Sequence, residues 1–233
     1  MLIREIAGGI LLTLKPTPLP NSIAAPIRER WCLEEDDDMA DRLLDHAATI
    51  ANPSVFLLPE KVESVEENCV TLGSHAFSSP LVAQKLHTPG MTAVGYVATC
   101  GRALYQAHND YADDFVASAV WDDICLAYLR LALDMLHTYV VQNIFPAKDG
   151  KKMYSALNPG SLSSWPIHAQ KDLFGFLGEG AELAGVELTA SMLMVPAKSS
   201  SGLLFPTDKP YENCMHCPRI DCPNRRAEYQ GDD

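Results

Sequence analysis

Positive charge is scarce in this chain. Eighteen lysines and arginines stand against 30 aspartates and glutamates, a formal net charge of −12 at pH 7. A surface of that sign repels nucleic-acid phosphates and anionic lipid, so neither is expected as a partner through charge. Long apolar runs are missing too. No uncharged stretch reaches the roughly 18 to 20 residues that a membrane-spanning helix needs, because the longest apolar zone, after Asp123, is broken by Arg130, Asp134 and His137. Arg4 and Glu5 interrupt the first apolar segment, and no cleavage-like segment follows a long apolar run. The expectation is a cytoplasmic protein. Three further signatures are absent: a glycine-rich phosphate loop of the usual spacing, His-Glu-x-x-His and Gly-x-Ser-x-Gly. No catalytic residue is assigned on sequence grounds, although catalysis itself is not excluded by a missing motif. There is no internal repeat, and no linker long or biased enough to demand two domains.

What is present suits one globular unit. The chain has 233 residues, 47% of them apolar, with eight Tyr, seven Phe and three Trp to build a core. Leu2 to Leu14 reads as a strand, or a strand pair kinked at Gly8-Gly9. After Pro16, Pro18 and Pro20, Ser22 is expected to cap a short helix that Pro26 limits. The acidic run Glu34 to Asp38 precedes a helical pattern over Met39 to Ile50, where acids favour the helix dipole. Val55 to Leu58, Cys69 to Leu72 and Met91 to Cys100 read as strands, and Ser79 to Leu86 and Arg102 to Ala107 as short helices. The clearest element is a helix from about Asp113 to about Phe145, which Pro146 stops. Asp123, Arg130, Asp134, Thr138 and Gln142 fall on one stripe of it, with the rest mostly apolar. Asp134 sits four residues after Arg130, the spacing of an intrahelical ion pair. A tight turn at Leu157 to Ser161 leads to a helix over Ile167 to Leu177, continued by Ala181 to Val186. Ser191 to Val195 and Gly202 to Phe205 are expected to form a hairpin around Pro196. The division that follows is one α+β domain over 1–206 and a cysteine-containing tail over 207–233.

Seven cysteines divide into two sets. Cys32, Cys69, Cys100 and Cys125 are scattered, as small core residues are in a reducing compartment. Cys214, Cys217 and Cys222 are clustered, with two residues and then four between them. A two-residue gap lets one turn aim both sulfurs at a single ion, and thiolates prefer zinc or the iron of iron–sulfur clusters. Pro218 and Pro223 each follow a cysteine, as in bacterial iron–sulfur runs. Three ligands are one short of four. The last would come from His216, Cys32 or Cys100, from a partner, or not at all in a 4Fe–4S cluster with one open iron. Arg219, Arg225 and Arg226 surround the cysteines and would offset thiolate charge or hold a phosphate or carboxylate. Asn158, Gly160, Ser161, Trp165, Lys198 and Ser199 are the candidates for a ligand-facing rim.

From about Cys69 onward, and above all from Asn158 to Tyr229, the chain resembles the activation domain of cobalamin-dependent methionine synthase. The resemblance is carried by the Asn158-Pro159-Gly160-Ser161 turn, the helix around Gln170 to Phe174, and the segment from Met192 through Pro196 and Lys198 to Gly202. The terminal cysteines followed by Arg225-Arg226 resemble those of stand-alone relatives. It implies an α+β fold of mixed helices with a twisted antiparallel sheet, S-adenosylmethionine binding, and docking over a corrinoid. It also implies a function: an accessory protein for reductive activation of, or electron delivery to, a corrinoid-dependent methyltransferase system. A non-catalytic corrinoid-protein-binding module with structural zinc and an S-adenosylmethionine-binding protein are the other readings. The family's Arg-x-x-Pro-Gly-Tyr is altered here. Ala156 stands where the arginine contacts the S-adenosylmethionine carboxylate, and Ser161 stands where the tyrosine does. Ala156 has no side-chain donor for a carboxylate; Lys152 or Lys198 would replace it only in a rearranged pocket.

Overall fold

Two left-handed residues start the fold. Strands β1 (Leu2–Ile6) and β2 (Gly9–Thr13) pair about Ala7 and Gly8, whose φ values of +50° and +75° are those of a two-residue hairpin turn. The computed structural model describes residues 1–233 except 33–37, 150, 152, 210, 223–224 and 232–233. The acids Glu34, Glu35, Asp36 and Asp37, together with Lys152 and Pro223, therefore lie outside the described residues. Helix α1 (Asn21–Trp31) passes through Pro26 rather than ending there, and Ser22 does not cap it. Pro26 faces solvent while Ala24 and Ile27 bury, so packing of the opposite face offsets the lost main-chain bond. Helix α2 (Met39–Ile50) buries Leu43, Leu44 and Ala47, and Asp38 pairs with Arg42 one turn on at 3.1 Å.

Strand β3 (Ser54–Glu66) is longer than the apolar run Val55 to Leu58 suggests. Its first part pairs with β2 and β6, its last part with β4 (Cys69–Leu72), and β5 (His75–Ser78) pairs with β4 in turn. Helix α3 (Pro80–Lys85) is capped by the Ser79 hydroxyl, which accepts from the Val82 N–H. Strand β6 (Thr92–Thr99) then runs to α4 (Arg102–Ala107) and to α5 (Phe115–Asn143), which the Asp114 carboxylate caps by accepting from the Ala117 N–H at 2.9 Å. By length and composition alone α5 matches a membrane span. In the fold it lies over the sheet, with Val120, Trp121, Ile124, Tyr128 and Ala132 buried. Arg130 and Asp134 form no ion pair among the described residues; Asp123 instead accepts from Arg30 and from the Trp31 indole, each at 2.9 Å.

After β7 (Tyr154–Leu157) come α6 (Gln170–Leu177), α7 (Glu179–Leu183) and the short pair β8 (Glu187–Leu188) and β9 (Met194–Val195). Strand β10 (Ser199–Pro206) does not form the expected hairpin with Ser191 to Val195. It enters the main sheet between β6 and β7, giving the order β1-β2-β3-β6-β10-β7, antiparallel throughout. The reason is burial. Ser201 to Phe205 are all buried, so this strand needs a neighbour on each edge and cover on each face.

Helices cover both faces of the sheet. Val55, Leu57, Val94, Tyr96 and Ala98 pack against α1, α2 and α5. Phe56, Ala93, Val97, Leu203 and Phe205 pack on the other side with α3, α6 and α7. Alternation along β3 and β6 sends neighbouring side chains to opposite cores. At Gly95 the absence of a side chain is required, because a Cβ there would lie 2.5 Å from the Phe176 ring.

Two stability predictions follow from this packing. Gly95→Ala should lower unfolding free energy by about 2 kcal/mol, the usual cost of overpacking a filled core; urea denaturation with an unchanged midpoint would contradict the α6–sheet contact. Burial also pushes Tyr128 and Tyr154 up to about 12. Unfolded tyrosine titrates near 10. The raised folded values mean that this stability is intact below about pH 10 and is lost as pH rises toward 12. The urea midpoint should therefore fall across that window, and the fall should shrink in Tyr154→Phe.

Candidate functional site

The chain leaves β7 at Leu157 and turns at once. Ser161 N–H donates to Asn158 O, Gly160 N–H to Trp165 O, and Trp165 N–H to Leu162 O, at 2.8 to 3.2 Å. Gly160 has φ +84°, and a Cβ there would come within 2.8 Å of Ile167, so both backbone and contact select glycine. Trp165 is only 2% exposed and anchors this turn in the core.

Asn158 is the centre of a polar network. Its amide donates to Tyr96 OH at 2.7 Å and to Ser201 O at 2.8 Å, while its Oδ1 accepts from Asn213 at 3.0 Å. Ser201 Oγ donates to Gln170 Oε1 at 2.7 Å, both buried. Burial raises the Tyr96 phenol above its ordinary value, opposed in part by Ser200, Asn158 and the Arg226 charge. A cavity of about 250 Å³ opens beside this network, walled by Tyr96, His137, Ala156, Asn158, Glu212 and Arg226. His137 Nδ1 and Tyr154 OH bond at 2.6 Å on its α5 side, and Arg226 Nε lies 3.7 Å from Glu212.

A second, wider groove of about 720 Å³ lies on the other side of the turn. Gly160 and Ser161 line it together with His216, Cys217 and Arg219. The six expected rim residues are thus divided. Asn158 faces the small cavity, Gly160 and Ser161 the groove, and Trp165 the core. Lys198 pairs with Asp122 at 2.7 Å, and Ser199 Oγ donates to Pro196 O at 2.7 Å. Arg226 was expected beside the cysteines, to offset thiolate charge or hold a phosphate or carboxylate, whereas Tyr96, His137 and Asn213 were not evident as site residues. A tyrosine in the otherwise small and aliphatic β6 was the one signal available for them.

The tail folds back over this region. Tyr211 is buried, stacks on His216 at 5.7 Å and lies beneath the Lys85 ammonium at 4.4 Å. Its cysteine loop is organised by one side chain. Arg225 donates to five carbonyls: Cys214 at 2.5 Å, Cys217 at 2.8 Å, Arg219 at 2.7 Å, Ile220 at 3.2 Å and Ala227 at 3.1 Å. Gln230 N–H donates to Met215 O at 2.7 Å, and the His216 ring bonds Gly231 O, closing the loop on itself. Cys214, Cys217 and Cys222 are all free and half-buried, and Cys217 packs against the core. Among the described residues no group of three or more His, Cys, Asp or Glu side chains is placed to hold a metal ion. Cys100 and Cys125, offered as core residues and, for Cys100, as a fourth ligand, are buried against each other; their contact and burial push the Cys125 thiol up.

No family model and no curated protein matches the chain. Among solved structures it is similar to the MetH reactivation domain bound to AdoHcy. The TM-score is 0.62 and the identity 13%, over 87% of this chain and 80% of that one. The α+β architecture of mixed helices on an antiparallel sheet is shared with that domain.

The Arg225 cage makes a prediction. Arg225→Met should leave the melting temperature of the body within about 2 °C while raising proteolytic cutting between 214 and 231 by about tenfold. Lysine should not rescue it, since an ammonium cannot span five carbonyls with a planar fork. Mass spectrometry of limited digests reads both; wild-type cutting rates would refute the cage.

Proposed function

We propose that the chain is a non-catalytic accessory module of a corrinoid-dependent methyltransferase system. It docks on a corrinoid protein and holds an S-adenosyl ligand in the cavity beside Ala156. The likeness to a domain crystallised with AdoHcy supports the architecture of this reading, and one local observation carries the ligand assignment. In the resembled family an arginine stands at the position of Ala156. Here Ala156 lines a cavity into which the tail brings another arginine, Arg226. The guanidinium missing from the strand is supplied from 70 residues further along the chain.

The chemistry suits a zwitterionic amino-acid end. Arg226 is a donor for a carboxylate and Glu212 an acceptor for an ammonium. They lie 3.7 Å apart with side chains 69% and 33% exposed, a loose surface pair that costs little to open toward a ligand. Asn158, Asn213 and Tyr96 present neutral polar groups on the same wall, fixed by their mutual bonds. At about 250 Å³ the cavity takes the amino-acid end, leaving the nucleoside to lie along its mouth. Methyl chemistry would belong to the partner's corrinoid; this chain binds, orients and covers. Electron delivery through Cys214, Cys217 and Cys222 has no converged donor set among the described residues.

Calorimetry of the full chain with AdoHcy tests the proposal. Arg226→Gln should weaken binding by about tenfold or more, the loss expected of a charge-assisted bond. Glu212→Gln should weaken it less. Absence of binding to the wild type, or an unaltered Arg226→Gln, would remove the ligand assignment.

A further inference from the structure

The groove on the far side of the 158–165 turn is distinct from the cavity beside Ala156 and has different chemistry. The chain has 30 acidic residues, and among the described ones none lines it. Its polar wall is Ser161, Ser163 and Ser164 on the turn and His216, Cys217 and Arg219 on the tail. None of the three serine hydroxyls bonds another described residue, and the Ser163 and Ser164 N–H groups donate to no carbonyl among the described residues. The Arg219 guanidinium makes no ion pair among the described residues, and Arg225 holds the main chain that carries it by donating to the Arg219 carbonyl at 2.7 Å. The groove therefore gathers one cation, without an ion pair among the described residues, with a turn rich in hydroxyl and N–H donors, and no described carboxylate to compete. Its floor is apolar: Ile167, 46% exposed, with Pro166 and Pro218 beside it.

We infer that this groove binds a phosphate ester with an apolar body. The phosphate sits between Arg219 and the Ser161–Ser164 turn, and the body lies on Ile167 and Pro218. A bidentate guanidinium with several short donors matches a phosphate's oxygens better than a carboxylate's two. The volume of about 720 Å³ far exceeds one phosphate and leaves room for the rest of the molecule. This inference uses none of the residues assigned to the S-adenosyl ligand, so each stands or falls by its own measurement.

The test is calorimetry of the full chain with phenyl phosphate, inorganic phosphate and benzoate at about 0.15 M ionic strength, where loose surface attraction is screened. Phenyl phosphate should bind about tenfold more tightly than either other probe, through the added apolar contact and the matched anion. Arg219→Gln should weaken it by about tenfold or more. Arg102→Gln, which removes a remote arginine paired with Glu187, should not change it. Arg219 is exposed and bears no packing, so its variant should melt with the wild type. The inference is overturned by absent binding of phenyl phosphate, by benzoate matching it, by an unaffected Arg219→Gln, or by equal losses in both variants.

Discussion

Strand β10 sits between β6 and β7, and its main chain is satisfied only there. Ser199 to Leu204 exchange ladder bonds with β6, and Leu203 to Pro206 with β7, while both faces lie under helices. A strand buried this way has no water to fall back on, so its register is fixed by the cost of an unpaired amide. The register in turn fixes Ser200 and Ser201 against Tyr96 and Asn158, and sets where the chain leaves the sheet after Pro206. Both cavities flank the 158–165 turn, and both take a wall from the segment that follows β10. Gly202 shows how tight this arrangement is: a Cβ there would lie 2.2 Å from the Leu157 carbonyl.

The tail solves a polar problem with a cation. A segment of loops carries carbonyls that no helix or strand satisfies, and the terminal loop has many of them in few residues. Arg225 meets five with one planar group, which is why this segment needs no regular structure to hold its form. The three tail arginines then take three separate roles. Arg225 turns inward to the main chain, Arg226 reaches the cavity beside Ala156, and Arg219 lines the opposite groove.

Periodicity made the local elements readable, and failed where long-range pairing decides. The helices α2, α4 and α5 and the strand β6 stand where their apolar patterns put them, because each buries a face of matching period. The expected hairpin of Ser191 to Val195 with Gly202 to Phe205 fails because adjacency in sequence was taken for adjacency in the sheet, whereas β10 pairs with residues about 50 and 100 positions earlier. Pro26 was expected to limit the helix because a lost main-chain bond is local, while the contacts that offset it on Ala24 and Ile27 are not. In the site, the Pro-Gly turn was legible because glycine at positive φ has a local cause. Lys198 was not, since its pairing with Asp122 depends on α5 crossing the end of β10. Arginines near the cysteines were visible, but sequence neighbours 225 and 226 face opposite ways, which only the closed loop determines.

Shared walls have a thermodynamic consequence. The tail contributes Arg226 and Glu212 to one cavity and Arg219 to the other, and the loop held by Arg225 carries both arginines. If the loop opened, both cavities would lose their cation together. A ligand that needed the loop closed in either one would favour that form by RT ln(1 + [L]/Kd). Closure gained from the first ligand would not have to be supplied again by the second, so under these two proposals the occupancies would be positively linked, and by the same factor in each direction. The strength of that link is bounded by the free energy of loop closure itself. A loop held firmly by Arg225 leaves little for either ligand to contribute, whereas a weakened cage would make each cavity depend more steeply on the occupancy of the other.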